Sequence, residues 1–210
     1  MLGFDGEMGS GGKMIMLDLY SGLGGASQPM MDHGWEVLRI ENNPLLKGTP
    51  ETCIMNVEDF DFKHMTSPPK SIDLIWASPP CLEFSNGYNA PKPTAKRNGE
   101  DFEADLSLML KAKEIIDFAR PKYWVIENVI GAIKDFNEHL GPPRQIVVSF
   151  ALWGNFPYIT VPGDFKHSKR LSDRHSKNPL RQNYKAVIPY PLADSLRRAI
   201  EEQRSILEWV

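Results

Sequence analysis

Short apolar runs, each stopped by Gly, Pro, Asn or Asp, recur along the chain and alternate with stretches of helical spacing. Met14–Leu19 is the first such run and ends at Ser21-Gly22-Leu23-Gly24-Gly25. Ala26–Gly34 has helical character, cut short by Pro29. Trp35–Ile40 predicts a second strand, ending at Glu41-Asn42-Asn43-Pro44, and Cys53–Val57 a third, ending at Glu58-Asp59. Ile72–Ala77 runs into Pro79-Pro80-Cys81, and Tyr123–Ile126 runs into Glu127-Asn128-Val129. Between these two, Leu106–Ala119 is apolar at 106, 108, 110, 112, 115, 116 and 119, the spacing of an amphipathic helix. Asn86–Glu100 has no hydrophobic period and predicts a long mobile loop. Ile146–Leu152 adds a strand, and Pro191–Trp209 a terminal helix. Strands alternating with helices predict an α/β fold with a Rossmann-like, doubly wound, mostly parallel sheet.

Composition then narrows the classes. A chain of 210 residues, 41% hydrophobic and 24% charged, suits one globular domain with a substantial core. Residues 14–210 read as that domain, and residues 1–13, Gly- and Met-rich without periodicity, as a disordered leader. The net charge of −3 means that a nucleic-acid partner would need a local basic patch. Two cysteines, Cys53 and Cys81, make neither a disulfide framework nor a four-ligand metal set, so no metal is expected. No apolar segment reaches the length of a membrane span and no secretory signal is visible, which predicts a cytoplasmic protein without a membrane partner.

The chemistry-bearing residues sit at strand ends, where open α/β sheets bind their ligands. A strand followed by Gly22-x-Gly24-Gly25 suits a ligand needing close backbone approach, although such a turn also occurs as a plain tight turn. Glu41, ending the second strand, is placed to hold ribose hydroxyls, and Asp59, ending the third, to accept from an adenine amino group. Either acid could equally be a solvated strand end. Cys53, inside an apolar run, reads as an inert buried residue. Cys81, in a Pro-rich loop matched by Glu127 at the next strand end, reads as a nucleophile with a carboxylate partner.

These residues together resemble the cytosine-5 DNA methyltransferase family. Asp18-Leu19-Tyr20-Ser21-Gly22-Leu23-Gly24-Gly25 looks like its first motif, Pro79-Pro80-Cys81 with Phe84-Ser85 its nucleophile motif, and Glu127-Asn128-Val129 its glutamate motif. Leu152-Trp153-Gly154-Asn155-Phe156-Pro157 resembles the turn that opens the arginine motif, and Ile188-Pro189-Tyr190-Pro191-Leu192-Ala193 the last motif. The likeness implies the fold of S-adenosylmethionine-dependent methyltransferases, with S-adenosylmethionine as cofactor, S-adenosylhomocysteine as product and DNA as partner. It implies Cys81 as nucleophile and Glu127 as the group that stabilises the adduct. It further implies that Tyr20, Ser21, Gly22, Leu23, Gly24, Gly25, Glu41, Asn42, Asp59, Phe60, Pro80, Leu108 and Ile188 line the cofactor pocket. Ser85 and Asn128 would meet the substrate, Asn128 chiefly as a support for the loop. Lys92, Lys96 and Arg97 would contact phosphates.

Three departures qualify the resemblance. Only residues 159–187 stand where the family carries a long target-recognition region. Tyr158-Ile159-Thr160-Val161-Pro162 lacks the arginines expected after Gly154, and Ala186-Val187 replaces an asparagine and a serine of the last motif. Lys169, Arg170 and Arg174 lie in the short basic insert as candidate DNA contacts. Recognition would then come from a homodimer or a separate partner. Two other readings stay open: a weak or inactive DNA-binding module of this fold, and an amino-group DNA methyltransferase, suggested by Ser78-Pro79-Pro80.

Overall fold

The computed structural model describes residues 13–62, 71–166 and 177–207. Seven strands form one sheet: β1 (Ile15–Leu19), β2 (Glu36–Glu41), β3 (Thr52–Ile54), β4 (Leu74–Ala77), β5 (Tyr123–Val129), β6 (Gln145–Val147) and β7 (Phe150–Asn155), in the order β3-β2-β1-β4-β5-β7-β6. The first five run parallel, whereas β7 is antiparallel to both β5 and β6. After β1 the chain builds outward through β2 and β3, then returns to place β4 on the other flank of β1. That reversal opens a crevice beyond the carboxyl ends of β1 and β4.

The sheet carries helices on both faces, as the doubly wound reading expects. Successive strand residues point to opposite faces. Met16, Trp76 and Val125 therefore join one core with Met30 of α1 (Gln28–Asp32), while Leu17, Ile75 and Ile126 join a second, separate core. The first core also takes Leu192, Leu196 and Ile200. The second is closed by Met109, Ala112, Ile115 and Ile116. Each fully buried aliphatic side chain contributes about 1.5–3 kcal/mol. β4, Leu-Ile-Trp-Ala, is buried at every residue because both its faces are covered.

Several elements differ from their sequence-based expectation. The stretch 86–100 is not all loop: Pro91–Asn98 forms α2, begun by Pro91 at its first position and ended by Gly99 in the left-handed conformation. Only Ala95 of this helix is buried, so its signal lay in the terminal Pro and Gly rather than in periodicity. The single strand expected over 146–152 is a hairpin of β6 and β7, reversed between Val147 and Phe150. Val148 takes φ +55 in that turn, a conformation that Gly or Asn would have advertised and a β-branched residue hides. The segment Leu152–Asn155 consequently lies in β7 and is not a turn.

The third strand stops at Ile54, and Asp59 closes a 3-10 turn (Val57–Asp59) instead of a strand. β5 extends three residues past its expected end, because Glu127, Asn128 and Val129 pair with Leu152, Ala151 and Phe150. Ser107–Ala119 is α3, Ile133–Leu140 is α4, and Tyr190–Leu207 is the terminal helix, here α6. Arg181–Ala186 forms α5 within the expected basic insert. No helix among the described residues is long and apolar enough to cross a membrane.

Candidate functional site

The Gly-rich turn leaves β1 through Tyr20, a non-glycine residue at φ +58. That conformation costs about 1–2 kcal/mol. It is held by Ser21 N–H donating to the Ile40 carbonyl at 3.1 Å and by Tyr20 Oη donating to the Leu108 carbonyl at 2.8 Å. Burial pushes the Tyr20 phenol above its ordinary range, so it stays a neutral donor.

The three glycines of the turn have three different neighbourhoods. A Cβ on Gly24 would lie 2.4 Å from Arg39 Cζ, and one on Gly25 would lie 2.5 Å from the Ile188 carbonyl oxygen. Both positions are therefore filled from within the protein. Gly22 alone faces open space, its nearest neighbour being Asn183 Nδ2, 3.9 Å from an added Cβ. Beside it, the Ser21 hydroxyl is buried without a hydrogen-bond partner among the described residues. An orphaned buried hydroxyl next to an uncovered glycine fits a bound polar ligand at this turn.

Glu41 ends β2 with its carboxylate buried and turned toward the turn. Its Oε2 accepts from Gly22 N–H at 2.8 Å and its Oε1 from Asn43 N–H at 2.9 Å. A carboxylate has about four acceptor sites, so two remain for ligand hydroxyls. Asn42 is exposed at the same strand end. Asp59 is exposed and accepts from Asn56 Nδ2 at 3.2 Å. Phe60 turns inward, buried edge-on against Phe62 at 5.0 Å between ring centroids. The side chain of Leu23 is half-buried, and Ile188 is buried against Gly25. Two side chains that the sequence did not single out join this region: Asn43 Nδ2 donates to Asn183 Oδ1 at 3.3 Å, tying α5 to the end of β2.

Across the crevice, Pro79, Pro80, Leu82, Glu83, Phe84, Asp105, Leu108 and Met109 line a cleft of about 210 Å³. Pro80 and Leu108 thus come together, and the Tyr20 bond to Leu108 links their cleft to the Gly-rich turn. Cys81, half-buried and not in a disulfide, sits in the loop that forms this wall. Cys53 packs at the edge of the second core, where burial raises its thiol pKa.

The loop is fastened to β5 and α4 in three places. Asn128, buried, donates from Nδ2 to the Pro79 carbonyl at 3.0 Å. Phe84 inserts edge-on against Phe136 at 5.0 Å between ring centroids. Gly131 lets the loop approach so closely that a Cβ there would lie 2.0 Å from the Phe84 carbonyl oxygen. Gly131 was visible in the sequence as the glycine just past Glu127-Asn128-Val129, but its partner was not. Glu127, buried, stands one residue beyond the register that pairs β4 with β5, and so projects past the end of β4. Strand alternation sends Glu127 and Asn128 to opposite faces of the sheet, Asn128 toward the Pro79 carbonyl.

The expected phosphate contacts have distinct situations. Lys92 Nζ pairs with Asp135 at 2.9 Å, joining α2 to α4. Arg97 donates to the Tyr88 carbonyl at 2.7 Å and lies 3.9 Å over the Tyr88 ring. Lys96 is exposed, and Ser85 is half-buried, its Oγ accepting from Gly87 N–H at 3.1 Å. Lys169, Arg170 and Arg174 lie outside the described residues. No group of three or more potential metal ligands occurs among the described residues.

Comparison with known proteins adds to this geometry. A family model for C-5 cytosine-specific DNA methylases matches residues 14–149. A Frog virus 3 (isolate Goorha) protein, named as a probable DNA (cytosine-5)-methyltransferase, is 28% identical over 152 residues, which is 69% of this chain and 66% of that protein. A solved prophage-encoded protein of E. coli, described as a "putative DNA modification methyltransferase", superposes with a TM-score of 0.42 at 20% identity, covering 60% of this chain and 35% of its own.

Proposed function

The chain belongs to the C-5 cytosine-specific DNA methylase family, and on that premise we propose that it methylates carbon 5 of cytosine in DNA through a covalent adduct on Cys81. The observation that carries this reading is the fastening of the Cys81 loop to the strand bearing Glu127, through the Asn128 bond to Pro79. Adjacent parallel strands bring the Cys81 loop and Glu127 to the same edge of the sheet, which supports that reading over an inert cysteine.

Cytosine carbon 5 is a poor nucleophile. Attack of the Cys81 thiolate on carbon 6 forms a carbon–sulfur bond and moves the ring double-bond electrons toward carbon 5. Glu127 donates a proton to ring nitrogen 3 and accepts from the exocyclic amine, stabilising the charge that develops in the ring. Bound S-adenosylmethionine supplies an electrophilic methyl group on a sulfonium. Once carbon 5 carries the methyl group, solvent water takes the carbon 5 proton, the freed electron pair restores the double bond and expels Cys81 as thiolate, and nitrogen 3 returns its proton to Glu127. Because a duplex hides carbon 6, the base must leave the stack and enter the crevice.

Ser21, the open face of Gly22 and the two spare acceptor sites of Glu41 are the groups that would hold the cofactor. Pro80 and Leu108 would supply an apolar wall. Lys96 and the basic residues 169, 170 and 174 are the proposed phosphate contacts, and the whole protein's recognition partner, whether a second copy or another chain, belongs to the same proposal.

Incubation with DNA and labelled S-adenosylmethionine should yield 5-methylcytosine. Cys81→Ala should abolish it, and DNA containing 5-fluorocytosine should trap a covalent adduct on Cys81. Methylation of an exocyclic amine, or DNA binding without turnover that Cys81→Ser leaves unchanged, would overturn the reading.

A further inference from the structure

Arg39 is a fully buried arginine in the middle of an apolar strand, and the adduct chemistry does not use it. A guanidinium is expensive to bury unless its donors are met. Here they are met, largely by the Gly-rich turn and the start of α1. Nε donates to Ser27 Oγ at 2.8 Å, Nη1 to the Pro50 carbonyl at 2.9 Å, and Nη2 to the Gly24 carbonyl and Gln28 Oε1, both at 3.2 Å. Ser27 passes the link on, donating to Asp18 Oδ2 at 2.5 Å. Asp18 is itself buried, and its Oδ1 has no hydrogen-bond partner among the described residues.

The side chain also occupies the volume that a Gly24 side chain would take, its Cζ lying 2.4 Å from an added Cβ. Gly24 thus leaves room for the guanidinium, and its φ of +76 favours glycine in its own right. An aliphatic residue at position 39 could fill the same space. It could not hold the Gly24 carbonyl or bridge through Ser27 to β1.

We propose that Arg39 is a positioning residue for the cofactor: from beneath, it sets the shape of the turn whose other side presents Ser21 and Gly22. The proposal rests on the reading of that turn as the S-adenosylmethionine site. It assigns the Arg39–Ser27–Asp18 chain a role in cofactor affinity that mere support of the sheet would not have.

The test compares the intact chain with Arg39→Gln, Arg39→Lys and Ser27→Ala. Titration calorimetry with S-adenosylmethionine and S-adenosylhomocysteine is read beside amide hydrogen exchange of the cofactor-free proteins and, where turnover is seen, KM against kcat. Arg39→Gln should weaken both ligands about tenfold or more, the effect of losing one well-formed hydrogen-bonded contact. Its kcat at saturating cofactor and its KM for DNA should hold. Amides of residues 24–28 should exchange faster, while those of β4 and β5 should not. Arg39→Lys should recover part of the loss. Ser27→Ala keeps the guanidinium and its three other acceptors, and should show a smaller loss in the same direction.

Unchanged ligand affinity in Arg39→Gln overturns the proposal, as does loss of exchange protection spread evenly over the sheet. Should Arg39→Gln fail to fold, wild-type affinity and exchange in Ser27→Ala overturn it. If the unaltered chain binds neither ligand, the cofactor reading fails instead, and local exchange still reports on whether Arg39 shapes the turn.

Discussion

Asp18 shows how one residue carries a measurable cost. Its carboxyl is buried, and desolvation raises its pKa from 3.8 to about 6 against the opposing pull of the Ser27 hydroxyl and Arg39. A carboxyl whose folded pKa is raised favours the folded state in its protonated form. Its stabilising contribution is therefore complete below the unfolded pKa and is lost as pH rises through about 6. On the scale of 1.36 kcal/mol per unit, the loss amounts to roughly 3 kcal/mol in all, most of it between pH 4 and pH 7. Asp18→Asn removes the ionisation, so the variant should gain stability relative to wild type across that interval. Urea unfolding at several pH values measures the difference, and a constant difference would contradict it. At the same scale the glycines separate into those packed by the protein (Gly24, Gly25) and the open one (Gly22), a distinction invisible in the Gly-x-Gly-Gly spacing.

At the scale of elements, the cysteine loop is held by its neighbours more than by its own hydrogen bonds. Asn128→Ala would leave the Pro79 carbonyl without its buried donor, a loss of about 1–3 kcal/mol. Thermal unfolding should register that loss. If the loop's position matters for attack, turnover should fall while affinity for S-adenosylhomocysteine remains, since the proposed cofactor turn lies across the crevice. Gly131→Ala acts on the same loop from the other side, forcing a methyl group to 2.0 Å from the Phe84 carbonyl oxygen. The backbone must shift, at a cost of about 1–3 kcal/mol, and activity should fall with it. The helix α2 behaves differently. Lys92→Ala breaks one partly exposed pair with Asp135, worth about 0–1 kcal/mol. Its effect on stability should be small, and any larger loss of activity would trace to DNA contact or to the orientation of α2. Chromatography-purified variants assayed for DNA KM and melting temperature separate these outcomes.

For the molecule as a whole, the proposed function makes the short segment 159–187 the candidate for target choice. If it supplies the recognition surface alone, few bases can be read, so bisulfite sequencing of DNA from expressing cells should show 5-methylcytosine in many sequence contexts. A long consensus would instead point to a partner chain. The alternation of apolar runs and turn residues determined the fold class and made Cys81 and Glu127 candidates for the two ends of a site, because strand periodicity and turn chemistry are local properties of the chain. Strand bounds were legible only to a few residues: Glu127 lies inside β5 because β7 pairs there, and pairing partners are remote in sequence. The helix at Pro91–Asn98 escaped notice because it has no hydrophobic period and only its terminal Pro and Gly announce it, and the hairpin at Val148 because no usual turn residue marks it. Nothing in Val37-Leu38-Arg39-Ile40 told how the charge of Arg39 is used, because that depends on Gly24 and Ser27 of the Gly-rich turn and on Pro50 meeting it. Which residues carry reactive groups was thus written in the sequence. What each of them touches was decided by the tertiary structure, since burial and close approach arise only when distant segments pack together.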